Sequence, residues 1–167
     1  MSLNDKVHDL LLQQIAEGRQ LGTQVCAYRN GEVIVDTWAG AMSPHEPRPV
    51  QSDSLFSSYS TTKGVAATLV HMLADRGQLD YEAPVAKYWP EFAQNGKDKI
   101  TVAQAMSHQA GLHRMPESPD EALGLLTWEK GLDWVAGGTP AYEPGTKTGY
   151  HALTYAWVAG GIVRGAT

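Results

Sequence analysis

The sequence predicts an α+β fold, and three observations support that class. Apolar residues near the amino terminus recur at helical spacing, two β-rich runs then flank Asn30-Gly31, and apolar helical segments dominate the chain from Ser60 onward. We expect residues 1–58 to form an N-terminal helix and the β-hairpin of a sheet region, and residues 59–167 to form a helical region. Because a two-stranded hairpin alone is marginally stable in water, its apolar faces require further strands. We therefore expect an antiparallel sheet whose remaining strands are absent from this chain, as in the incomplete N-terminal portion of a longer fold.

The first helix is predicted by four apolar residues at helical spacing, Val7, Leu10, Leu11 and Ile15. Asn4 or Asp5 is expected to cap this helix, and Gly18 to end it. The dipeptide Asn30-Gly31 is the strongest short signal for a hairpin turn. The single cysteine, Cys26, excludes an internal disulfide. Since it lies in an apolar run, we expect its thiol to be buried and unreactive.

The helical region begins with a segment from about Ser60 to Arg76 that is apolar nearly all round and is expected to be buried, with Gly77 after its end. Thr101 and Gln104 form a capping-box pattern for a second helix that should stop at Gly111. A third helix is expected over residues 120–137, although an exposed Gly131 weakens it. The last apolar helix is expected to begin near Tyr150.

Composition excludes several classes of protein. The chain has 167 residues, 43% of them hydrophobic, with a net charge of −5 and a pI near 5.6. Nucleic acids and anionic membranes select basic surfaces, so neither partner is expected. No apolar run approaches the ~18 residues of a membrane span, and no signal peptide is evident, so a soluble cytoplasmic protein is expected. The six histidines form no tight ligand pair, so no metal and no cofactor are expected.

The candidate nucleophile is Ser60, in the motif Ser60-Thr61-Thr62-Lys63. Residues three apart share one helical face, so the Lys63 amine can reach the Ser60 hydroxyl. A serine hydroxyl needs a partner that takes its proton, and a desolvated neutral lysine can do so. Ser-x-x-Lys also arises by chance, and a surface Ser and Lys at a helix end is the alternative. The apolar helix behind the motif argues against that alternative.

Three blocks together resemble the serine β-lactamase superfamily, specifically its class C-like branch, which includes family VIII carboxylesterases and penicillin-binding-protein-like hydrolases. The blocks are "DSLFSSYSTTKGVAATLVHMLADRGQLD", "ITVAQAMSHQAGL" and "EPGTKTGYHALTY". The resemblance implies a β-lactamase/transpeptidase-like fold, an antiparallel sheet with a helical subdomain. It also implies that Ser60 is the acylated nucleophile, Lys63 its activating partner and Tyr150 a second base. Tyr59 and His151 are expected to line the pocket.

One departure from the family pattern concerns the tyrosine motif. The β-lactamases of this branch carry Tyr-x-Asn, whereas this sequence has Tyr150-His151-Ala152. The family's asparagine contacts the lysine and the substrate amide, and Ala152 is expected to do neither. The resemblance therefore favours a serine hydrolase that cleaves small carboxylic esters through an acyl-enzyme intermediate. The alternatives are a β-lactamase or D-amino-acid peptidase, and a catalytically silent binding module on the same scaffold.

A literal Lys147-Thr148-Gly149 directly precedes Tyr150. Serine β-lactamases use Lys-Thr-Gly as a third catalytic motif. In this family, that motif lies on a strand that faces the nucleophile, well downstream of the tyrosine. One short segment cannot line both walls of a cleft, so we interpret these residues as a turn that presents Tyr150. The remaining strands are expected to come from a second chain or from a missing C-terminal segment.

Overall fold

The computed structural model describes residues 1–45, 47–125 and 127–167. These residues form two compact units, Met1–Ser57 and Ser58–Thr167, which are described separately. Among the helices of the described residues, none combines the length and the apolar character needed to cross a bilayer.

The first unit begins with helix α1, Leu3–Ala16. Its N-cap is Ser2, so the prediction of Asn4 or Asp5 was wrong by two or three residues. The Ser2 hydroxyl accepts from the Asp5 N–H at 3.0 Å, and the Asp5 carboxylate accepts from the Ser2 N–H at 2.8 Å. This reciprocal capping box satisfies two N–H groups that have no partner within the helix. Gly18 follows the helix in the left-handed region, with φ +70°, as predicted for a residue that ends it.

The hairpin consists of β1, Gly22–Arg29, and β2, Glu32–Gly40, paired antiparallel. Asn30 and Gly31 have φ of 52° and 84°, which is the combination of a type I′ turn, so the predicted hairpin is confirmed. Helix α1 packs against β2 and buries Leu11, Val35 and Ala39.

The other face of the hairpin is open within this chain. Tyr28 and Val33 are exposed, and so is Cys26. The expectation of a buried thiol was wrong because strand residues alternate between faces and Cys26 lies on the face away from α1. In the residues that the structure describes, the sheet contains these two strands.

The second unit is helical and is built around one apolar core. Its helices are α2 (Thr62–Asp75), α3 (Val102–Met106), α4 (Pro119–Gly124), α5 (Trp128–Gly137) and α6 (Thr154–Ala166). Short 3₁₀ turns occupy Tyr59–Thr61, Val85–Lys87 and Pro90–Ala93. The largest fully buried apolar side chains are Phe92, Ile100, Ile162, Val70, Val85, Val102, Val135 and Val158.

The capping box at α3 is confirmed, since Thr101 and Gln104 satisfy each other's backbone N–H groups. The helix ends at Met106 rather than at Gly111, because His108 adopts a left-handed backbone with φ +65°. The single helix predicted over residues 120–137 is two helices, α4 and α5, and its residue 126 lies outside the described residues. Gly131 is buried rather than exposed, because a β-carbon there would overlap the Trp157 indole.

Helix α2 ends as predicted, with Gly77 in the left-handed region at φ +69°. Its expected all-round burial is not found in this chain: Val70 and Leu73 are buried, whereas Val65 and Leu69 are exposed. Helix α6 begins at Thr154, so Tyr150 lies in the loop before the helix and not within it.

Candidate active site

Ser60 lies in the 3₁₀ turn Tyr59–Thr61, directly before the 14-residue helix α2. The N-terminal end of a helix carries a partial positive charge, which favours negative charge developing nearby. Tyr59 has φ +45°, a left-handed conformation that is uncommon for a bulky residue. Lys63 lies one turn further along, and its Nζ donates to the Ser60 Oγ at 3.1 Å.

Tyr150 reaches the same oxygen from the loop before α6. Its hydroxyl donates to the Ser60 Oγ at 2.6 Å, although the two residues are 90 positions apart. The Lys63 Nζ lies 4.9 Å from the centroid of the Tyr150 ring. The structure thus brings Ser60, Lys63 and Tyr150 together at one oxygen atom, and the side chain of Tyr150 is 53% exposed.

Lys63 is held by a contact that the sequence did not indicate. Its Nζ donates to the main-chain carbonyl of Ala152 at 2.7 Å, and it lies 5.9 Å from the centroid of the Tyr155 ring. The expectation that Ala152 cannot contact the lysine was therefore wrong for its backbone, although its methyl side chain offers no hydrogen bond. The carbonyl fixes the ammonium group between Ser60 and Tyr150.

Two partners lower the pKa of Tyr150 below its usual value of 10. The hydrogen bond with Ser60 contributes most, followed by a hydrogen bond and the positive charge of Lys63, while partial desolvation opposes them. The tyrosinate is therefore more accessible than in an isolated phenol. A phenolate at this position is a base within hydrogen-bonding distance of the serine proton.

A shallow concavity of about 270 Å³ opens beside Ser60 and is lined by Tyr59, Lys63, Leu153 and Tyr155, among others. Tyr59 thus lies where the sequence placed it. His151 does not, because its side chain is fully buried. The His151 Nε2 accepts from the Leu112 N–H at 3.1 Å, and burial lowers the pKa of this imidazole from 6.5 to about 4.

The Lys147-Thr148-Gly149 segment leads to Tyr150 without regular secondary structure. The turn itself lies just before it, at Pro144-Gly145, where Gly145 has φ +83° and the Thr146 N–H donates to the Glu143 carbonyl at 3.2 Å. Lys147 and Thr148 are exposed, and the Gly149 N–H donates to the His108 carbonyl at 3.0 Å. The segment connects this turn to Tyr150, and none of its side chains contacts Ser60.

Sequence reasoning did not single out His108. Its ring centroid lies 4.9 Å from that of Tyr150 and 5.0 Å from that of Tyr155. The only sequence signal was its place in "ITVAQAMSHQAGL", one of the three family-like blocks. Among the described residues, no three His, Cys, Asp or Glu side chains lie close enough together to hold a metal ion.

Comparison with known proteins gives a consistent family. The profile of the Beta-lactamase family matches residues 7–167. The esterase/beta-lactamase LipL of Mycobacterium tuberculosis is 41% identical over 152 residues, which cover 90% of this chain and 34% of that protein. A beta-lactamase of Escherichia coli is 27% identical over 150 residues.

Solved structures agree in fold. The crystal structure of a family VIII carboxylesterase superposes with a TM-score of 0.88 at 42% identity, covering 98% of this chain and 44% of that one. A penicillin-binding protein homologue from Caulobacter crescentus gives a TM-score of 0.88 at 41% identity, covering 96% and 43%. The chain therefore spans about a third to under a half of the length of these relatives.

Proposed function

The chain belongs to the β-lactamase family, and from this premise we propose that the whole protein is a serine hydrolase that cleaves carboxylic esters through an acyl-enzyme. One observation carries the proposal: the Ser60 Oγ lies 2.6 Å from the Tyr150 hydroxyl and 3.1 Å from the Lys63 Nζ. The Ser60 hydroxyl therefore has a proton acceptor beside it, the ionised Tyr150 phenol, and a positive charge, the Lys63 ammonium group.

In the proposed reaction, the Tyr150 phenolate takes the proton of the Ser60 hydroxyl as the Oγ bonds to the ester carbonyl carbon. The tetrahedral intermediate collapses, its bond to the alcohol oxygen breaks, and Tyr150 returns the proton to the departing alkoxide. A water molecule then attacks the acyl carbon and passes a proton to Tyr150. The bond between that carbon and the Ser60 Oγ breaks, Tyr150 returns the proton to the Oγ, and the acid leaves. The Lys63 amino group, 3.1 Å from the Ser60 Oγ and 4.9 Å from the centroid of the Tyr150 ring, stabilises the phenolate.

The preference for esters rests on position 152. A peptide substrate, or a lactam that carries an amide side chain, presents amide groups that a site must match, and a missing partner for a buried polar group is costly. Ala152 has no side-chain amide, and its carbonyl is already occupied by Lys63. The relatives support either substrate, since they include a carboxylesterase, a beta-lactamase and a protein described as both an esterase and a beta-lactamase. Lactam hydrolysis is therefore the second candidate.

We further propose that the sheet is completed by a segment beyond these residues or by a second chain. Two strands with an exposed apolar face, including Tyr28 and Val33, are marginal by themselves. The 44% coverage of the family VIII carboxylesterase leaves ample length in such a relative for more strands. The acyl and alcohol preferences would depend on the walls that these strands supply.

The test is hydrolysis of a short-chain p-nitrophenyl ester by the whole protein and its Ser60→Ala variant. We expect Ser60→Ala to lower kcat by at least about a thousandfold, since the nucleophile is removed. Ser58→Ala is the matched control, because the Ser58 hydroxyl contacts Thr62 at 3.1 Å and lies outside the triad. Undiminished turnover by Ser60→Ala would refute the proposal, and faster turnover of nitrocefin than of esters would favour the lactam alternative.

A further inference from the structure

Both chain neighbours of Tyr150 are hydrogen-bonded to a single residue, His108. The Gly149 N–H donates to the His108 carbonyl at 3.0 Å. The His151 N–H donates to the His108 Nδ1 at 3.1 Å. The peptide groups on either side of Tyr150 are therefore fixed by one residue, once through its backbone and once through its ring.

The His108 ring also packs against the phenol that it flanks. Its centroid lies 4.9 Å from that of Tyr150, with the planes inclined at 57°, and 5.0 Å from that of Tyr155. His108 is itself held in place, since its backbone adopts φ +65° and its carbonyl also accepts from the Tyr142 hydroxyl at 3.3 Å. The His108 ring thus packs against both tyrosine rings.

The hydrogen bonds define which nitrogen of each imidazole carries a proton. The His151 Nε2 accepts from the Leu112 N–H, so the proton of neutral His151 is on its Nδ1. That Nδ1 lies 3.3 Å from the His108 Nδ1. The His108 Nδ1 accepts from the His151 backbone N–H and is therefore unprotonated. The His151 ring N–H lies beside the same nitrogen and also hydrogen-bonds the Gly149 backbone.

We propose that His108 is a positioning residue for Tyr150, whose flanking peptides and ring it fixes in the orientation that reaches Ser60. The proposal rests on the proposed function, because it gives Tyr150 a role in proton transfer. It assigns His108 no contact with the reacting atoms. What His108 supplies is the Nδ1 acceptor and the flat face of its ring.

A proton on the His108 Nδ1 would undo this arrangement. The groups that face the ring are His151, Tyr150 and Tyr155. The Lys63 Nζ lies 4.9 Å from the centroid of the Tyr150 ring, and the His113 ring packs against His151. The His151 backbone N–H donates to Nδ1, and Lys63 adds a positive charge. Burial first, and the charge of Lys63 second, lower the pKa of His108 below its usual 6.5. Protonation therefore occurs only in acid, where it would release the His151 N–H and loosen Tyr150.

The test compares His108→Asn with His108→Leu in the whole protein. An asparagine Oδ1 can replace the Nδ1 acceptor, whereas leucine fills space without accepting a hydrogen bond. We expect His108→Leu to lower kcat for a p-nitrophenyl ester by about tenfold to a hundredfold, with KM changed by less than about threefold, because a displaced catalytic group lowers rate more than binding. His108→Asn should recover most of the loss. His71→Asn is the control, since His71 hydrogen-bonds the Tyr81 hydroxyl in the same unit.

The pH profile separates positioning from general packing. If only Tyr150 is protonated as the pH falls, log kcat/KM decreases with a slope of one per pH unit. Protonation of His108 should make the decrease steeper below pH 6.5 in the natural protein. The steeper part should be absent in His108→Asn. Persistence of the steeper part in His108→Asn, or full activity of His108→Leu, would overturn the proposal.

A second readout does not depend on ester hydrolysis. Ultraviolet difference titration, with Tyr150→Phe subtracted, measures ionisation of Tyr150 directly. We expect His108→Leu to raise the pKa of Tyr150 by weakening its contacts with Ser60 and Lys63, and His108→Asn to restore it. An unchanged Tyr150 titration in His108→Leu would overturn the positioning role, whereas loss of the proposed function would show instead as ester turnover that survives Ser60→Ala.

Discussion

Helices α2 and α6 differ in burial although both are largely apolar and pack against each other. Helix α6 is inserted into the core, where Tyr155, Val158, Ala159 and Ile162 are all buried. Helix α2 buries Val70 and Leu73, while Val65 and Leu69 remain exposed in this chain. An apolar helix therefore tends to be buried, but whether it is buried depends on the other helices and strands that pack against it.

The glycines of α6 and α2 differ in how closely other residues pack against them. In α6, a β-carbon at Gly161 would overlap the Trp89 ring, and one at Gly160 would overlap Trp128. In α2, a β-carbon at Gly64 would meet no atom within 4 Å. Close approach of aromatic rings to the α6 backbone thus depends on these glycines. The site therefore lies between a tightly packed helix, α6, and a helix with open space beside its first turn, α2.

After removal of the nucleophile itself, the largest effect is expected at Tyr150, the group that the α6 side contributes. We expect Tyr150→Phe to lower kcat about a hundredfold to ten-thousandfold, because the ring stays in place while the proton acceptor is lost. Lys147→Ala should keep most of the activity, since the Lys147 side chain is exposed and lies outside the Ser60 contacts. Ester hydrolysis by the whole protein measures both. Equal losses in the two variants would show that the Lys147-Thr148-Gly149 segment acts as more than a support.

The second prediction compares the helices directly. Gly161→Ala should lower the free energy of unfolding by about 2–3 kcal/mol, because the added methyl must displace Trp89 in a packed core. Gly64→Ala should raise it by about 0.5–1 kcal/mol, since alanine favours the helix and meets open space. Denaturant unfolding of the whole protein measures both changes. A neutral Gly161→Ala would contradict the view that α6 is tightly enclosed.

The third prediction concerns His151, just before α6. Burial lowers its pKa from 6.5 to about 4, so the folded state favours the neutral ring. Stability from this residue is complete above pH 6.5 and is lost as the pH falls toward 4. We expect a loss of about 2 kcal/mol between pH 7 and pH 4.5.

The control for this titration is His151→Gln, whose side-chain oxygen can still accept from the Leu112 N–H without titrating. Its stability should be lower at pH 7 but should depend less on pH over the same interval. A pH dependence as steep as that of the natural protein would assign the titration to other groups.

The elements with local signals were predictable and those that depend on distant partners were not. The Asn30-Gly31 turn and the Thr101 capping box are decided by neighbouring residues, and both were correct. The environments of Cys26 and Gly131 were wrong, because each depends on which face meets another element. The expected all-round burial of helix α2 was wrong for the same kind of reason, because burial depends on which of its faces meets another element.

In the site, the spacing of Ser60 and Lys63 indicated their contact, and the family resemblance added Tyr150. The sequence could not show the Ala152 carbonyl or the His108 ring as neighbours. Every residue has a main-chain carbonyl, so the residue type at position 152 does not indicate that its carbonyl binds Lys63. His108 meets Tyr150 only because the chain returns across 42 positions, which no local pattern encodes.

The carbonyl of Ala152 has a consequence for mutational tolerance. Since Lys63 is held at this point by a backbone oxygen, the side chain at position 152 can be exchanged without removing the hydrogen bond. That position is therefore free to vary in size and polarity at the mouth of the concavity. It is a natural place to begin directed evolution of substrate range, because a new side chain there faces the pocket while the lysine stays anchored.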